Sequence, residues 1–169
     1  PGSKSYTNRT LVAAALAKGT SIIENALEAE DPALMAAALR ALGFKVETDD
    51  KTRRIRVEGR GGAIPSGGAE IYAGNAGTVM RFLLPFVALG RGEFRLTGSP
   101  RMQERPVGDL LDALRGLGAD AVSERGDQEN VRGEAGGPRR PRDTVAATAR
   151  PGARPDDARD LERQGAGFH

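Results

Sequence analysis

Two stretches of this chain repeat the same order of elements, and this repetition constrains the fold more than any other feature. Residues 11–46 are predicted as helix, glycine, strand, loop, helix and strand, and residues 82–122 follow the same order. The two later helices end on matching segments, Leu39-Arg40-Ala41-Leu42-Gly43 and Leu114-Arg115-Gly116-Leu117-Gly118. Because the offset of about 70–75 residues exceeds that of solenoid repeats, the pattern predicts duplicated α/β units around a layered core. Chance similarity is the alternative, and the matching endings disfavour it.

Local signals place the individual elements. Asp31 is predicted to cap the second helix, with Pro32 as its first helical residue and Gly43 in the left-handed position after its end. An earlier helix is predicted over residues 11–17. Strands are predicted where β-branched or alternating residues lie between turn signals, at residues 20–23, 44–48, 54–58, 69–72 and 93–97. Residues 49–51 are expected to form a hairpin turn.

Composition excludes several kinds of site. The chain of 169 residues has no cysteine and one histidine, His169. Disulfides, thiolate metal sites and cysteine nucleophiles are therefore excluded, and neither a histidine-based zinc site nor a Ser-His-Asp triad is expected. The net charge of +2 gives no indication of nucleic acid binding. Since no apolar run has membrane-spanning length and no signal peptide is recognised, we expect a cytoplasmic chain without a membrane partner.

The composition changes abruptly after residue 122. Residues 123–169 contain no Lys, Ile, Met, Tyr or Trp, and their large apolar residues are Val131, Val145, Leu161 and Phe168. Such a segment buries too little apolar surface to offset the entropy of ordering, so a disordered C-terminal tail is predicted after a folded part at residues 1–122. Nucleic acid is not its expected partner, because acidic residues interrupt its arginines and no aromatic stacking platform accompanies them. A frameshift in a GC-rich gene is a second explanation of this composition.

Three clusters of polar and cationic residues precede predicted helices. They are Pro1-Gly2-Ser3-Lys4-Ser5-Tyr6-Thr7-Asn8-Arg9, Gly74-Asn75-Ala76-Gly77-Thr78-Val79-Met80-Arg81 and Pro100-Arg101-Met102-Gln103-Glu104-Arg105-Pro106-Val107-Gly108-Asp109-Leu110. The first is predicted as a loop in which Ser3, Ser5, Thr7 and Asn8 are candidate helix caps. The arginines of the last are predicted to lie in a loop before a helix that begins at Pro106. Free N–H groups at a helix start, and glycines that admit a ligand to the backbone, form an anion site.

Taken one at a time, the clusters have simpler explanations: a surface turn with solvated cations for the first, a tight turn between strand and helix for the second, and a surface ion pair for the third. Taken together, they predict a cleft that gathers the cations Lys4, Arg9, Arg81, Arg101 and Arg105. So many converging positive charges, with no metal ligands beside them, suit a substrate that carries several negative charges.

These three motifs, in this order and spacing, resemble those of the 5-enolpyruvylshikimate-3-phosphate synthases (3-phosphoshikimate 1-carboxyvinyltransferases). The resemblance covers residues 1–122 and begins slightly inside the family's N-terminus. It implies a mixed α/β fold, in which repeated βαβαβ-type units form an inside-out α/β barrel. About two of those repeats would be present, well under half of the family's chain.

The resemblance also implies an activity. Family members transfer the enolpyruvyl group of phosphoenolpyruvate to the 5-hydroxyl of shikimate 3-phosphate, on the pathway to chorismate and the aromatic amino acids. They work as monomers and use no metal or organic cofactor. The substrate-binding positions that carry over to this chain are Lys4, Ser5, Arg9, Asn75, Gly77, Thr78, Arg81 and Arg105.

Individual roles follow from the same resemblance. Lys4 would contact both substrates, and Ser5 and Arg9 would hold shikimate 3-phosphate. Gly77 and Arg105 would lie against phosphoenolpyruvate. The other three positions would support the site.

The sequence departs from the family pattern in several places. Phe82 stands where many members have Pro, and the Ser-Ser-Gln segment expected after the second repeat is absent. The later region that supplies the acid/base carboxylate and lysine is also absent, so the catalytic groups are unknown and we expect an incomplete, inactive chain. One alternative is a non-catalytic anion-binding module. Another is a UDP-N-acetylglucosamine enolpyruvyl transferase, which the opening motif and the absence of cysteine disfavour.

Overall fold

Helices and strands alternate along the described chain. The computed structural model describes residues 2–123 and the strand at residues 145–149. The helices are α1 (Lys4–Leu16), α2 (Glu30–Ala41), α3 (Gly77–Val87), α4 (Pro100–Gln103) and α5 (Gly108–Gly116). The strands are β1 (Lys18–Ile23), β2 (Lys45–Asp49), β3 (Arg54–Arg60), β4 (Gly68–Tyr72), β5 (Gly92–Thr97), β6 (Asp120–Ser123) and β7 (Val145–Ala149). The five predicted strands and the mixed α/β class are confirmed.

Two sheets contain the same arrangement of three strands. In the first sheet, β3 lies between β1 and β2 and runs antiparallel to both. In the second, β7 lies between β5 and β6 and runs antiparallel to both, while β4 pairs with β5 in parallel. The order α1-β1-α2-β2-β3 therefore recurs as α3-β5-α5-β6-β7, with the short α4 inserted before α5. The predicted duplication is confirmed, and β7 completes the second copy.

The matching helix endings have the same backbone structure. Gly43 and Gly118 follow α2 and α5 in the left-handed conformation, with φ of +87° and +89°. The residue after each glycine donates its N–H to a carbonyl of the preceding helix, that of Leu39 or Leu114, at 3.0 Å in both cases. These are the bonds of a Schellman motif, which satisfies carbonyl groups left open at a helix end.

The arginine of each matching segment adds a second shared contact. Arg40 Nε donates to the carbonyl oxygen of Val46 at 2.8 Å, and Arg115 Nε donates to that of Ala121 at 2.7 Å. Each arginine thereby ties its helix to the following strand. The repeated Leu-Arg-x-Leu-Gly signature is thus the sequence of one helix-to-strand connection, used twice.

The three longest helices lie between the two sheets. Helix α1 packs on β1 and β3, α3 packs on β5 and β7, and α2 contacts both β2 and β4. Leu11, Met35 and Leu83 of these helices are fully buried in one shared core. Just before β2, Phe44 reaches Phe86 of α3, with ring centroids 5.7 Å apart. Helices inside and sheets outside form the inside-out arrangement that the resemblance implied.

The prediction of an opening loop is wrong. Helix α1 begins at Lys4, well before the predicted residues 11–17, so the first cluster is itself helical. Ser3 occupies the N-cap position, although its side chain does not accept a capping bond. The hydroxyls of Thr7 and Thr10 donate to the carbonyl oxygens four residues earlier, at 2.9 and 2.8 Å. Such bonds let polar residues continue a helix where their composition suggests a loop.

Two other helix starts also differ from the predictions. Helix α2 begins at Glu30 with Ala29 in the N-cap position, so Asp31 does not cap it and Pro32 is its third residue. Proline still fits there, because a first-turn N–H has no partner within the helix. Helix α5 begins at Gly108 rather than at residue 106.

Most of the predicted disordered tail lies outside the described residues. Those parts are residues 124–144 and 150–169, so the proposed domain division at residue 122 stays a prediction. Between them the structure describes β7, which the expectation of a tail without regular structure did not include.

The predicted hairpin turn at residues 49–51 is confirmed, and one carboxylate organises it. Asp49 accepts bonds from the N–H groups of Lys51 at 3.1 Å and Thr52 at 3.3 Å, and from the Thr52 hydroxyl at 2.7 Å. These bonds favour the charged form. The bond from the Thr52 hydroxyl contributes most to lowering the pKa of Asp49 below its ordinary value.

We expect Thr52→Val to raise the pKa of Asp49 towards that of an ordinary aspartate, and Thr52→Ser to leave it lowered. Because the folded-state pKa is lowered, Asp49 contributes stability that is present above its unfolded-state pKa. That contribution is lost as the pH falls through the folded-state value. An NMR titration of the Asp49 carboxyl carbon measures this, and an unchanged titration in Thr52→Val would contradict the assignment.

Gly43 and Gly118, which follow the ends of α2 and α5, provide a matched test of packing. Gly118→Ala places a Cβ in open space, so only the left-handed conformation opposes it, at a cost of about 1–2 kcal/mol. Gly43→Ala has nearly the same φ, but its Cβ would lie 3.0 Å from Cβ of Pro65, so the free energy of unfolding should fall further.

Urea unfolding measures both variants. Gly116→Ala, within α5 and with open space around its Cβ, is the control and should raise stability by about 0.5–1 kcal/mol. Equal losses at Gly43 and Gly118 would contradict crowding by Pro65.

Candidate functional site

The first turns of three helices meet at the carboxylate of Asp31. Lys4 Nζ, at the start of α1, lies 3.5 Å from Asp31 Oδ1. The hydroxyl of Thr78, in the first turn of α3, donates to Asp31 Oδ2 at 3.3 Å. Asp31 itself lies in the first turn of α2. Since the first N–H groups of a helix lack partners within it, their convergence concentrates positive potential at this place.

The buried Asn8 is part of the same cluster. Its side chain is 0% exposed, and its Nδ2 donates to Thr78 Oγ1 at 3.5 Å. The Thr78 hydroxyl therefore accepts a bond from Asn8 and donates one to Asp31. Asn8 Oδ1 has no hydrogen-bond partner among the described residues.

Thr7 fixes α1 against the loop that leads into α2. Its hydroxyl accepts a bond from the Leu27 N–H at 3.2 Å and donates to the Ser3 carbonyl at 2.9 Å. Thr7 is buried, so both bonds are shielded from water. The start of α1 is thereby held at a defined distance from the start of α2.

The second and third sequence clusters meet at Gly77, the first residue of α3. A Cβ on Gly77 would lie only 2.5 Å from Nη1 of Arg105, so the guanidinium lies against the glycine. The backbone supports this contact, because the Ser99 N–H donates to the Gly74 carbonyl at 2.8 Å. Glycine at position 77 therefore leaves the room that the arginine occupies.

Arg9 and Phe82 connect α1 to α3 further along both helices. Cζ of Arg9 lies 6.0 Å from the centroid of the Phe82 ring, within the range of a cation–π contact. The ring of Phe82, a residue that departs from the family pattern, thus contacts the guanidinium of Arg9, a predicted substrate-binding residue.

The remaining predicted residues are exposed. Ser5 lies in the first turn of α1, Asn75 in the turn before α3, and Arg81 one turn into α3. Arg101 belongs to the short helix α4, where a loop was predicted. The structure therefore joins Lys4 to Thr78 through Asp31, and Gly77 to Arg105 directly.

Sequence reasoning missed the site's acidic and buried members. Asp31 and Asn8 were both interpreted as helix caps. The spacing of four residues between Lys4 and Asn8 places them on one helix face. That signal becomes visible only if α1 is taken to begin at Lys4.

The described residues contain neither a metal-ligand cluster nor a membrane-spanning helix. In the part of the chain that the structure covers, no group of three or more His, Cys, Asp or Glu side chains could hold a metal ion. Among those same residues, no helix combines the length and apolar character needed to cross a membrane.

Comparison with known proteins agrees with the motifs. The family model of EPSP synthase (3-phosphoshikimate 1-carboxyvinyltransferase) matches residues 1–140. The 3-phosphoshikimate 1-carboxyvinyltransferase of Shewanella denitrificans is 51% identical over 123 residues, which make up 72% of this chain and 29% of that protein. The protein of the same name from Nostoc punctiforme is 50% identical over 119 residues, 70% of this chain and 28% of its own.

Solved structures show the same relationship. EPSP synthase from Acinetobacter baumannii matches with a TM-score of 0.69 and 28% identity, over 88% of this chain and 31% of that one. The enolpyruvyl transferase NikO from Streptomyces tendae, at 23% identity and a TM-score of 0.50 over 88% of this chain and 28% of its own, shares the fold. This chain thus spans less than a third of the length of the curated relatives that it matches. Since the family model matches most of its residues, the chain belongs to the EPSP synthase family.

Proposed function

We propose that this chain is the anion-binding part of an enzyme that transfers the enolpyruvyl group of phosphoenolpyruvate to the 5-hydroxyl of shikimate 3-phosphate. The observation that carries the proposal is the convergence of three helix starts beside Lys4, with Arg105 against the first residue of α3. Both substrates carry a carboxylate and a phosphate. Binding them side by side requires concentrated, fixed positive charge.

The site offers the positive charges and hydrogen-bond donors that carboxylate and phosphate groups bind. Lys4 offers a compact charge with three donors, and its ammonium lies beside Asp31 in the first turn of α2, where it is proposed to contact both substrates. Arg105 offers a planar fork that fits a carboxylate or phosphate in bidentate fashion. The N–H groups of the first turn of α3, which lack partners within the helix, are the third kind of donor.

The other predicted residues fill supporting roles in this proposal. Ser5 and Arg9, on α1, hold shikimate 3-phosphate, and Gly77 admits phosphoenolpyruvate close to the backbone. Asn75, Thr78 and Arg81 line the α3 side of the site. Their exposure leaves their polar atoms accessible to a ligand.

The reaction needs these residues to bind and orient. A proton adds to C3 of phosphoenolpyruvate while the 5-hydroxyl oxygen bonds to C2 and gives up its own proton, which forms a tetrahedral addition intermediate. Loss of a proton from C3 then expels phosphate and forms the enol ether. Fixed cations hold the two anions together against their repulsion and stabilise the charge on the departing phosphate. We assign no acid or base role to a described residue.

We further propose that the 169-residue chain binds these anions without turning them over. The proposal includes no metal, organic cofactor, nucleic acid or membrane, and it takes the full-length enzyme to be a cytoplasmic monomer. Its support is the family membership together with the short span of the relatives' length that this chain covers.

Calorimetry with shikimate 3-phosphate and phosphoenolpyruvate tests the binding. We expect Lys4→Met to weaken the binding of either substrate at least about tenfold, because charge-assisted bonds worth about 1.5–3 kcal/mol are lost. Lys45→Met is the matched control, since Lys45 pairs with Glu58 at 3.0 Å on the first sheet, and it should leave both affinities unchanged. If the unmutated chain bound neither substrate, the proposed function would be wrong.

An assay of phosphate release from the two substrates tests turnover. We expect no release above background from the 169-residue chain. Release that depends on both substrates and disappears in Lys4→Met would overturn the proposed inactivity while supporting the proposed reaction.

Gly77→Ala is expected to weaken phosphoenolpyruvate binding more than shikimate 3-phosphate binding, because the new Cβ displaces the Arg105 guanidinium. Stability should change little, since the displaced group is the exposed end of a flexible side chain. Gly108→Ala, whose Cβ meets open space, is the control. Equal weakening of both substrates would contradict the pairing of Gly77 and Arg105 with phosphoenolpyruvate.

A further inference from the structure

We infer that Asp31 is a positioning residue for Lys4, and that Thr78 and the buried Asn8 hold it in place. The inference rests on the proposed function, in which Lys4 contacts both substrates. It extends that function by two residues, Asn8 and Asp31, that were interpreted from the sequence as helix caps.

The sign of the charge on Asp31 is the first argument. A carboxylate among groups that bind anions repels the substrates, so its electrostatic effect on binding is unfavourable. The Asp31 side chain is only 20% exposed and lies between Lys4 and Thr78. Because the negative charge of Asp31 opposes anion binding, we assign its role to the protein groups that it contacts.

The direction of the hydrogen bonds is the second argument. Asn8 Nδ2 donates to Thr78 Oγ1, which donates to Asp31 Oδ2, and Lys4 donates to the other carboxylate oxygen, Oδ1. Asn8 Nδ2 and Lys4 Nζ can only donate and the carboxylate can only accept, so the Thr78 hydroxyl accepts from Asn8 and donates to Asp31. The bonds therefore converge on the Asp31 carboxylate, from the buried amide through Thr78 on one side and from Lys4 on the other.

The difference in mobility between its two ends is the third argument. Asn8 is 0% exposed on α1, whereas the Lys4 side chain is 57% exposed and has four rotatable bonds. A free lysine loses about 1.5–2 kcal/mol of rotamer entropy when a ligand fixes it. Asp31 restricts the lysine beforehand, at a point set by α3, the helix whose first residues are proposed to receive phosphoenolpyruvate.

An ordinary surface ion pair would not have these properties. Exposed lysine–carboxylate pairs contribute little, since water screens them and both side chains move. Here, the Asp31 carboxylate on α2 accepts a bond from Thr78 on α3, and Thr78 in turn accepts a bond from the buried Asn8 on α1. The bonds to Asp31 join α1, α2 and α3, so the position of Lys4 depends on the packing of all three helices.

Calorimetry with shikimate 3-phosphate on Asp31→Asn tests the inference through the sign of the effect. Removal of a negative charge alone would tighten anion binding, whereas loss of positioning weakens it, and we expect the dissociation constant to rise at least about fivefold. Glu30→Gln, the neighbouring carboxylate on the same helix turn, is the control and should leave affinity unchanged or slightly tighter. Unchanged or tighter binding by Asp31→Asn would overturn the inference.

A double variant shows whether Asp31 acts through Lys4. In the Lys4→Met background, Asp31→Asn should have no further weakening effect on shikimate 3-phosphate binding. The same fivefold loss in both backgrounds would mean that Asp31 acts on the ligand by another route, and would overturn the inference.

A measurement without ligand separates this inference from the proposed function. In NMR spectra of the lysine Cε–Hε groups, Asp31→Asn and Thr78→Val should shift the Lys4 signal, because Thr78 bonds to one oxygen of the Asp31 carboxylate and Lys4 to the other. Thr78→Ser, which keeps the hydroxyl, should not shift it. The signals of Lys18, Lys45 and Lys51 are internal controls, and the exposure of Thr78 makes these variants compatible with folding.

The two measurements fail in different ways. If shikimate 3-phosphate does not bind but the Lys4 signal shifts as expected, the proposed function is wrong and the positioning contact stands. If the Lys4 signal shifts in neither Asp31→Asn nor Thr78→Val, the inference is wrong even where the substrate binds.

Discussion

The structure depends on the burial of α1, α2 and α3 between two sheets. Each of these helices must present apolar residues to more than one neighbour, and Leu11, Met35 and Leu83 are fully buried as a result. Burial of each such side chain contributes about 1.5–3 kcal/mol, and the core buries many of them, so their sum exceeds the contribution of the polar contacts in the site. Packing of the core therefore fixes where the helices begin. The first turns of α1, α2 and α3 lie together, so their polar residues meet there.

Local signals predicted the elements well where the chain itself supplies both partners of a bond. The Schellman turns at Gly43 and Gly118 and the Asp49 turn each involve residues within a few positions of one another. Their composition is consequently sufficient to predict them. The strands were predicted for a similar reason, since alternating burial leaves a period of two in the sequence.

The errors arose where tertiary contacts compete with local ones. Asp31 has the composition of a helix cap, but its partners lie 27 and 47 residues away in sequence. Ser, Thr and Asn near the chain start favour caps and turns locally, yet helix packing selects the helical alternative for Thr7 and Asn8. The eight substrate positions came from the family resemblance. Only the structure could add Asn8 and Asp31, because their roles depend on contacts between helices.

The central strand of each copy pairs with the strand before it, and the number of residues between those two strands differs greatly between the copies. In the first copy, residues 50–53 join β2 to β3, whereas residues 124–144 separate β6 from β7. In an unfolded chain, the entropy lost when two segments meet rises with the logarithm of their separation in sequence, so pairing β7 with β6 costs about 1.5 kcal/mol more than pairing β3 with β2. The first sheet is accordingly the one whose contacts are local enough to form early during folding. On this basis, we expect the N-terminal copy to form first, so that α1 and its sheet provide the surface on which the second copy assembles.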